Sequence, residues 1–325
     1  MSILCVHCMP DAEGFYESLH KSGYKLKGIG FLKYHSGGDF KRVKEPEEVL
    51  TWGSTTYIKK MLAQYEQLFG TEIPKCQIHT PLEPGDHPKL DESSLCDNEE
   101  HAKYMTMVGA LQWAVSPGQI NIITSVMMMS RFRIAPRRAH LKCVQRIYQY
   151  LRNYKSMSIK FNTEMPDYSQ FAVEQLDWGQ HVYHPCKEDT PVGIPPEPTS
   201  KGKPVRMTTF FDVNLINDII TGRSCTGISH LLNKTPIDWL SKQKDTVETA
   251  MYGSEFVAGR IALDQIVDLR HTLWYLGVPL AGPLWLFGDN LSMINSSTVP
   301  GGKLVKRHNI LLYHRMKEKQ WQQAS

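Results

Sequence analysis

The chain has 325 residues, room for two or three folded units, and its 41% hydrophobic content is enough for a real core. No apolar run approaches the roughly 20 residues that span a bilayer, and the opening MSILCVHCMPDAEG lacks the basic start and apolar length of a secretion signal. Seven scattered cysteines suit a reducing compartment, so a cytoplasmic or nuclear rather than secreted protein is expected, and a net charge of +4 permits nucleic-acid binding without requiring it.

In chain order, residues 12–23 read as a short amphipathic helix closed by Gly23. GYKLKGIGFLKYHSGGDFKRV reads as strand, glycine turn and strand, with Gly37-Gly38 as a bulge or turn. Residues 55–69 carry Tyr57, Met61, Tyr65 and Leu68 at helical spacing, and Gly70 is placed to cap that helix. Residues 71–100 are rich in Pro, Asp and Glu and read as loop. Two strands are too few for an independent sheet, so residues 1–100 are expected to be half of a domain that begins upstream.

From residue 101 to about 160 the pattern is helical: HAKYMTMVGALQWAV, INIITSVMMMSRFRIA, and a third helix with Pro136 in its first turn. Leu141, Val144, Ile147 and Leu151 form the core stripe of the third. Arg131, Arg133, Arg137, Arg138, Lys142 and Arg146 crowd this region, with Arg152 and Lys155 beyond, and no acid intervenes between Arg131 and Lys155. Such unbalanced charge favours contact with a nucleic-acid backbone. Tyr148, Tyr150 and Tyr154 add either stacking and sugar contacts or packing. Residues 161–205 have linker composition, with a boundary near Pro204.

Residues 206–325 follow the order strand, strand, strand, helix, strand, helix, helix, the order of a mixed α/β (α+β) domain with a five-stranded sheet. The strands are VRMTTFFDVN, residues 223–233, PIDWLSK and LWLFGDN, while the fifth is expected from 298–305 or elsewhere. Within the long helix from 246, Ala262, Ile266, Leu269, Leu273 and Leu276 form one stripe. The same spacing runs back to Gly259 and Glu255, and a carboxylate on a buried stripe is costly unless paired, protonated or bound to a cation. Asp212 ends the first strand and Asp289 the fourth. Three converging carboxylates are stable at neutral pH chiefly with divalent cations, and oxygen-only ligands select Mg²⁺ or Mn²⁺. Two ions about 3.5–4 Å apart suit in-line phosphodiester hydrolysis.

Several other features read as incidental. Cys5-Val-His-Cys8 lacks the second half of a zinc site, His181, His184 and Cys186 have no supporting context, and Gly28-Ile-Gly30 lacks the rest of a dinucleotide loop. Met127-Met128-Met129 reads as helix core. Thr221-Gly-Arg-Ser reads as a hairpin turn, with Arg223 and Ser224 placed to touch a substrate backbone.

YMTMVGALQWAVSPGQINIITSVMMMSRFRIAPRRAHLKCVQRIYQYL, then FFDVN, DIITGRSCTG, TPIDWLSKQKDTVETAMYGSEF, FGDN and KRHNILLYHR, resemble in order the C-terminal part of a Ty1/copia-type retrotransposon polyprotein. In that family these segments are the end of the reverse transcriptase, with its helical thumb or connection, and the ribonuclease H domain. The resemblance implies that Asp212, Glu255 and Asp289 hold Mg²⁺ in a ribonuclease acting on RNA–DNA hybrids. It implies that the basic helix tracks the hybrid's backbone, and that other products of the same polyprotein are partners. It also sets two departures. The adjacent Asp pair of the family's polymerase is absent from this sequence, so no polymerase activity is expected. Where the family offers a fourth carboxylate, this chain has His308, Asn309 and Ile310: either a second ion is held weakly, or His308 does a different job. The rival expectation is a nucleic-acid-binding remnant of a retroelement without catalysis.

Overall fold

The computed structural model describes residues 9–25, 32–45, 47–85, 87–171, 199–200, 202–248, 250–282 and 284–299. Among them lie seven α-helices and two four-stranded sheets, a mixed α/β architecture.

The first sheet is wholly antiparallel, in the order β1 (Tyr34–His35), β2 (Gly38–Glu45), β3 (Glu47–Gly53), β4 (Ser158–Lys160). Ser36 and Gly37, with φ of 48° and 82°, turn the first hairpin as a two-residue loop that matches strand twist. Gly38 is needed for another reason: a Cβ there would lie 1.8 Å from Nε1 of Trp52, whose indole covers it. The expectation of two strands is thus corrected to four. β3 was hidden in the acid-rich EEVLTWG, and β4 arrives only after four intervening α-helices.

Those helices and α1 (Met9–Lys21) complete the N-terminal portion. α2 (Thr55–Phe69) starts where Asp39 Oδ2 accepts the Thr56 N–H at 2.6 Å, and ends at Gly70, left-handed with φ 65° and its N–H on the Glu66 carbonyl. α3 (Asn98–Val115) opens with a capping box between Asp97 and Glu100. α4 (Ile123–Ser130) is shorter than its pattern suggests, and α5 (Arg138–Asn153) begins after Pro136 rather than on it. Ile58, Met61 and Tyr65 of α2 share one buried core with Tyr104, Met107 and Leu111 of α3 and Val144, Ile147 and Leu151 of α5. Leu141, the remaining stripe residue of α5, is buried as well. Ile73 and Ile78 of the following loop join the same core, which therefore crosses residue 100.

The second sheet has the order β7-β6-β5-β8, formed by β5 (Met207–Asn214), β6 (Cys225–Leu232), β7 (Thr235–Gln243) and β8 (Trp285–Phe287). The first three strands are an antiparallel meander, and β8 lies parallel to β5. The fifth strand expected at 298–305 falls almost wholly outside the described residues. α6 (Met251–Tyr275) packs on the sheet, burying Phe256, Ala258 and Ala262 against Phe211, Val213 and Ile228. Of the predicted stripe, Ala262, Ile266 and Leu273 are buried and Leu269 is half-buried. Leu276 is 61% exposed, because the helix stops at Tyr275 and Gly277 turns left-handed with φ 71°. α7 (Leu291–Thr298) follows β8, capped by the Asn290 side chain accepting the Met293 N–H.

Residues 162–171, expected to be linker, pack on this second sheet. Asn162 exchanges two hydrogen bonds with Thr235 Oγ1, Asn233 Nδ2 donates to the Thr163 carbonyl, and Tyr168 donates to Thr208 Oγ1. No helix of the described residues is long and apolar enough to cross a membrane.

Candidate metal centre

Each of the three predicted carboxylates arrives on a different element. Asp212 sits near the end of β5, two residues after Phe210. Asp289 lies two residues beyond Phe287 of the neighbouring parallel strand, and Phe210 and Phe287 are register partners. Two acids at the same end of adjacent parallel strands are thereby side by side. Glu255 comes from the second turn of α6.

One carboxylate oxygen from each of Asp212, Glu255 and Asp289 lies within 4.8 Å of those of the other two, and such a cluster can hold a metal ion. Glu255 is 1% exposed while the two aspartates face solvent. Its Oε2 is buried without a hydrogen-bond partner, an arrangement that costs free energy unless a proton or cation occupies it. Burial, with the Asp289 and Asp212 charges adding to it, raises the Glu255 carboxyl from 4.5 to about 7. All donors are carboxylate oxygens, the set preferred by hard divalent cations.

Two local features shape this pocket. Gly288 sits against the ring of Phe211: a Cβ there would come 2.4 Å from Phe211 Cζ, so only glycine lets the strand carry Asp289 across that ring. Lys244, at the end of β7, is 5% exposed, and its ammonium donates to the Ser254 carbonyl next to Glu255. Burial lowers its pKa from 10.5 to about 8, opposed by the charges of Glu255 and Glu248. Nothing in the charged run SKQKDT marks Lys244 as different from its neighbours.

The basic residues have partners within the fold that local sequence did not show. The acids missing between Arg131 and Lys155 come from elsewhere in the chain. Arg131 pairs with Asp218 at 2.7 Å, Arg138 with Glu100 at 3.1 Å, and Arg146 with Glu83. Arg133 donates to the Ser130 carbonyl and to Gln112, and Arg137 to the Ser93 carbonyl. Five of the predicted backbone contacts are therefore engaged within the fold, and charge balance along the sequence did not describe charge balance in space. Lys142 and Arg223 are exposed. Tyr148 and Tyr150 are buried, and Tyr154 packs ring to ring on Tyr150, so packing accounts for all three. His308, Asn309 and Ile310 lie outside the described residues, as do Cys5, Cys8, His181, His184 and Cys186.

Sequence reasoning missed Asp218 altogether. Its side chain is buried, with Oδ1 accepting the Ile220 and Thr221 N–H groups and Oδ2 accepting from Arg131, Gln243 and Thr221 and contacting Lys89. Its neighbours Asn217 and Ile219 give no periodic signal, and its cations lie about a hundred residues away along the chain.

Comparison of the chain with protein-family models, with curated proteins and with solved structures finds no match.

Proposed function

We propose that the chain is the C-terminal part of a Ty1/copia-type retroelement polyprotein, with a ribonuclease H-like second unit that hydrolyses the RNA strand of RNA–DNA hybrids using Mg²⁺. The observation that carries this reading is the convergence of Asp212, Glu255 and Asp289, with one Glu255 oxygen buried and unpartnered. The meander followed by a parallel strand beside its first strand, with a long helix packed on the sheet, supports it as the frame such a site needs.

In this reading each residue has a stated task. Asp212, Asp289 and Glu255 would hold the cation, the two aspartates from the solvent-exposed side of the cluster and Glu255 from its buried part. A divalent ion held there would supply neutralisation of phosphate charge and acidify a water. Phe211, lying against Gly288, fixes the spacing of the two strands that carry the aspartates. Lys142 and Arg223, with the exposed Arg133 and Arg138, are the predicted cations open to the hybrid's backbone, and the RNA strand is told from DNA by its 2′-hydroxyls. The sequence has no adjacent Asp pair, so polymerisation is not part of the proposal.

The test is cleavage of an end-labelled RNA–DNA hybrid with Mg²⁺ or EDTA, using the wild type and Asp289→Asn. The proposal expects Mg²⁺-dependent shortening of the RNA strand by the wild type alone. Hybrid binding that weakens with salt, with no cleavage by either protein, would replace the proposal with a non-catalytic nucleic-acid-binding remnant.

A further inference from the structure

The side chain of Asp218 joins three parts of the molecule. The loop after β5 contributes Asp218 itself. The N-terminal portion contributes Lys89, in the 3-10 turn Pro88–Leu90, and Arg131, which caps the end of α4. β7 contributes Gln243, whose amide donates to Oδ2 at 2.9 Å. A carboxylate with two cations and four further donors is fully satisfied, so this buried charge is tolerated only while the partners stay together.

The residues that touch Asp218 are also one step from the carboxylate cluster. Gln243 is followed by Lys244, whose ammonium holds the Ser254 carbonyl, and Ser254 precedes Glu255. A second route begins at the Arg223 carbonyl, which accepts the Asp218 N–H at 3.0 Å. Ser224, next in the chain, accepts the Lys244 N–H on its carbonyl at 2.9 Å, and its hydroxyl meets that of Ser254 at 3.4 Å. Both routes end on the turn of α6 that aims Glu255.

We infer that Asp218 is a positioning residue for the carboxylate cluster: clamped by Lys89 and Arg131, it sets the β5–β6 loop and the end of β7, and through Lys244 and Ser254 the direction of Glu255. The N-terminal portion thereby governs how tightly the cluster holds a divalent ion, although none of its described residues belongs to the cluster. This inference rests on the cluster binding such an ion. Packed contacts alone do not establish coupling, so the test must measure it.

The experiment is calorimetric titration of the full chain with Mn²⁺, for the wild type, Asp218→Ala, Arg131→Met, Arg131→Lys and the Asp218→Ala/Arg131→Met double variant, each first checked for native circular dichroism. Asp218→Ala and Arg131→Met are expected to weaken Mn²⁺ binding at least about fivefold. Arg131→Lys is expected to recover most of that loss, and the double variant to be no weaker than Asp218→Ala alone. If Asp218→Ala fails to fold, the Arg131 pair carries the test by itself. Wild-type affinity in folded Arg131→Met overturns the inference while leaving the metal centre standing. No Mn²⁺ binding by the wild type overturns both.

Discussion

Replacing Gly288 by alanine puts a methyl group into the ring of Phe211, directly beside the metal centre. The added Cβ would sit 2.4 Å from Cζ and 2.9 and 3.0 Å from two other ring carbons, against an optimum of about 3.5–4.0 Å for carbon contacts. The ring must retreat by roughly 1 Å on that measure. Phe211 is buried with Phe256, Ala258 and Ala262, so it has little room to do so. Gly288 is not among the glycines with positive φ, so alanine carries no backbone strain and the cost is contact alone. Overpacking of this kind costs about 1–3 kcal/mol, reduced by the roughly 0.4–1 kcal/mol that alanine gains by restricting the unfolded chain. A net loss of about 1–2 kcal/mol in urea denaturation is expected, with weaker Mn²⁺ binding because Asp289 is the next residue. Adding Phe211→Leu opens space, so the double variant should be less destabilised than the sum of the singles by about 1 kcal/mol. An alanine variant as stable as the wild type, or strictly additive singles, would refute the packing argument.

Other outcomes are equally specific. Glu255 is raised from 4.5 to about 7, so between those values it is protonated in the ion-free fold and ionised in the unfolded chain. Its contribution to stability is present below 4.5 and lost as pH rises through 7. Melting in EDTA should show that decline, and Glu255→Gln should remove it. His230 behaves oppositely: buried between Thr209 and Gln265, its pKa is lowered by burial from 6.5, so stability is lost as pH falls below that value, a trend that His230→Gln should abolish. Ile147→Ala, at a fully buried position of α5, should cost about 2–5 kcal/mol by chemical denaturation. Gly70→Ala places a Cβ at φ 65° and should lose about 1 kcal/mol despite open space around it.

What could be read from the sequence was whatever announces itself by local spacing. The 3.6-residue stripe of α6, the strand VRMTTFFDVN and the strand-end positions of Asp212 and Asp289 are short-range patterns, and the structure brings the three predicted carboxylates together. Gly70 and the turn at Gly37 were legible for the same reason, although the turn is Ser36-Gly37 and Gly38 already pairs in β2. β4 could not be read as the partner of β3, because their pairing depends on four α-helices folding between them. Asp218 and the arginine pairs were invisible because their partners are distant in sequence. A run of unopposed arginines reads as a nucleic-acid face until Glu83, Glu100 and Asp218 are placed beside it. Leu276 fits the helical period and still faces water, since periodicity does not say where a helix stops.

The central claim is that Asp212, Glu255 and Asp289 form a divalent-ion centre. Crystals soaked in Mn²⁺ and measured for anomalous scattering test it directly. The account predicts an anomalous peak among the three carboxylates that disappears in Asp289→Asn. A map with no peak there, or with manganese bound only elsewhere on the chain, would contradict it.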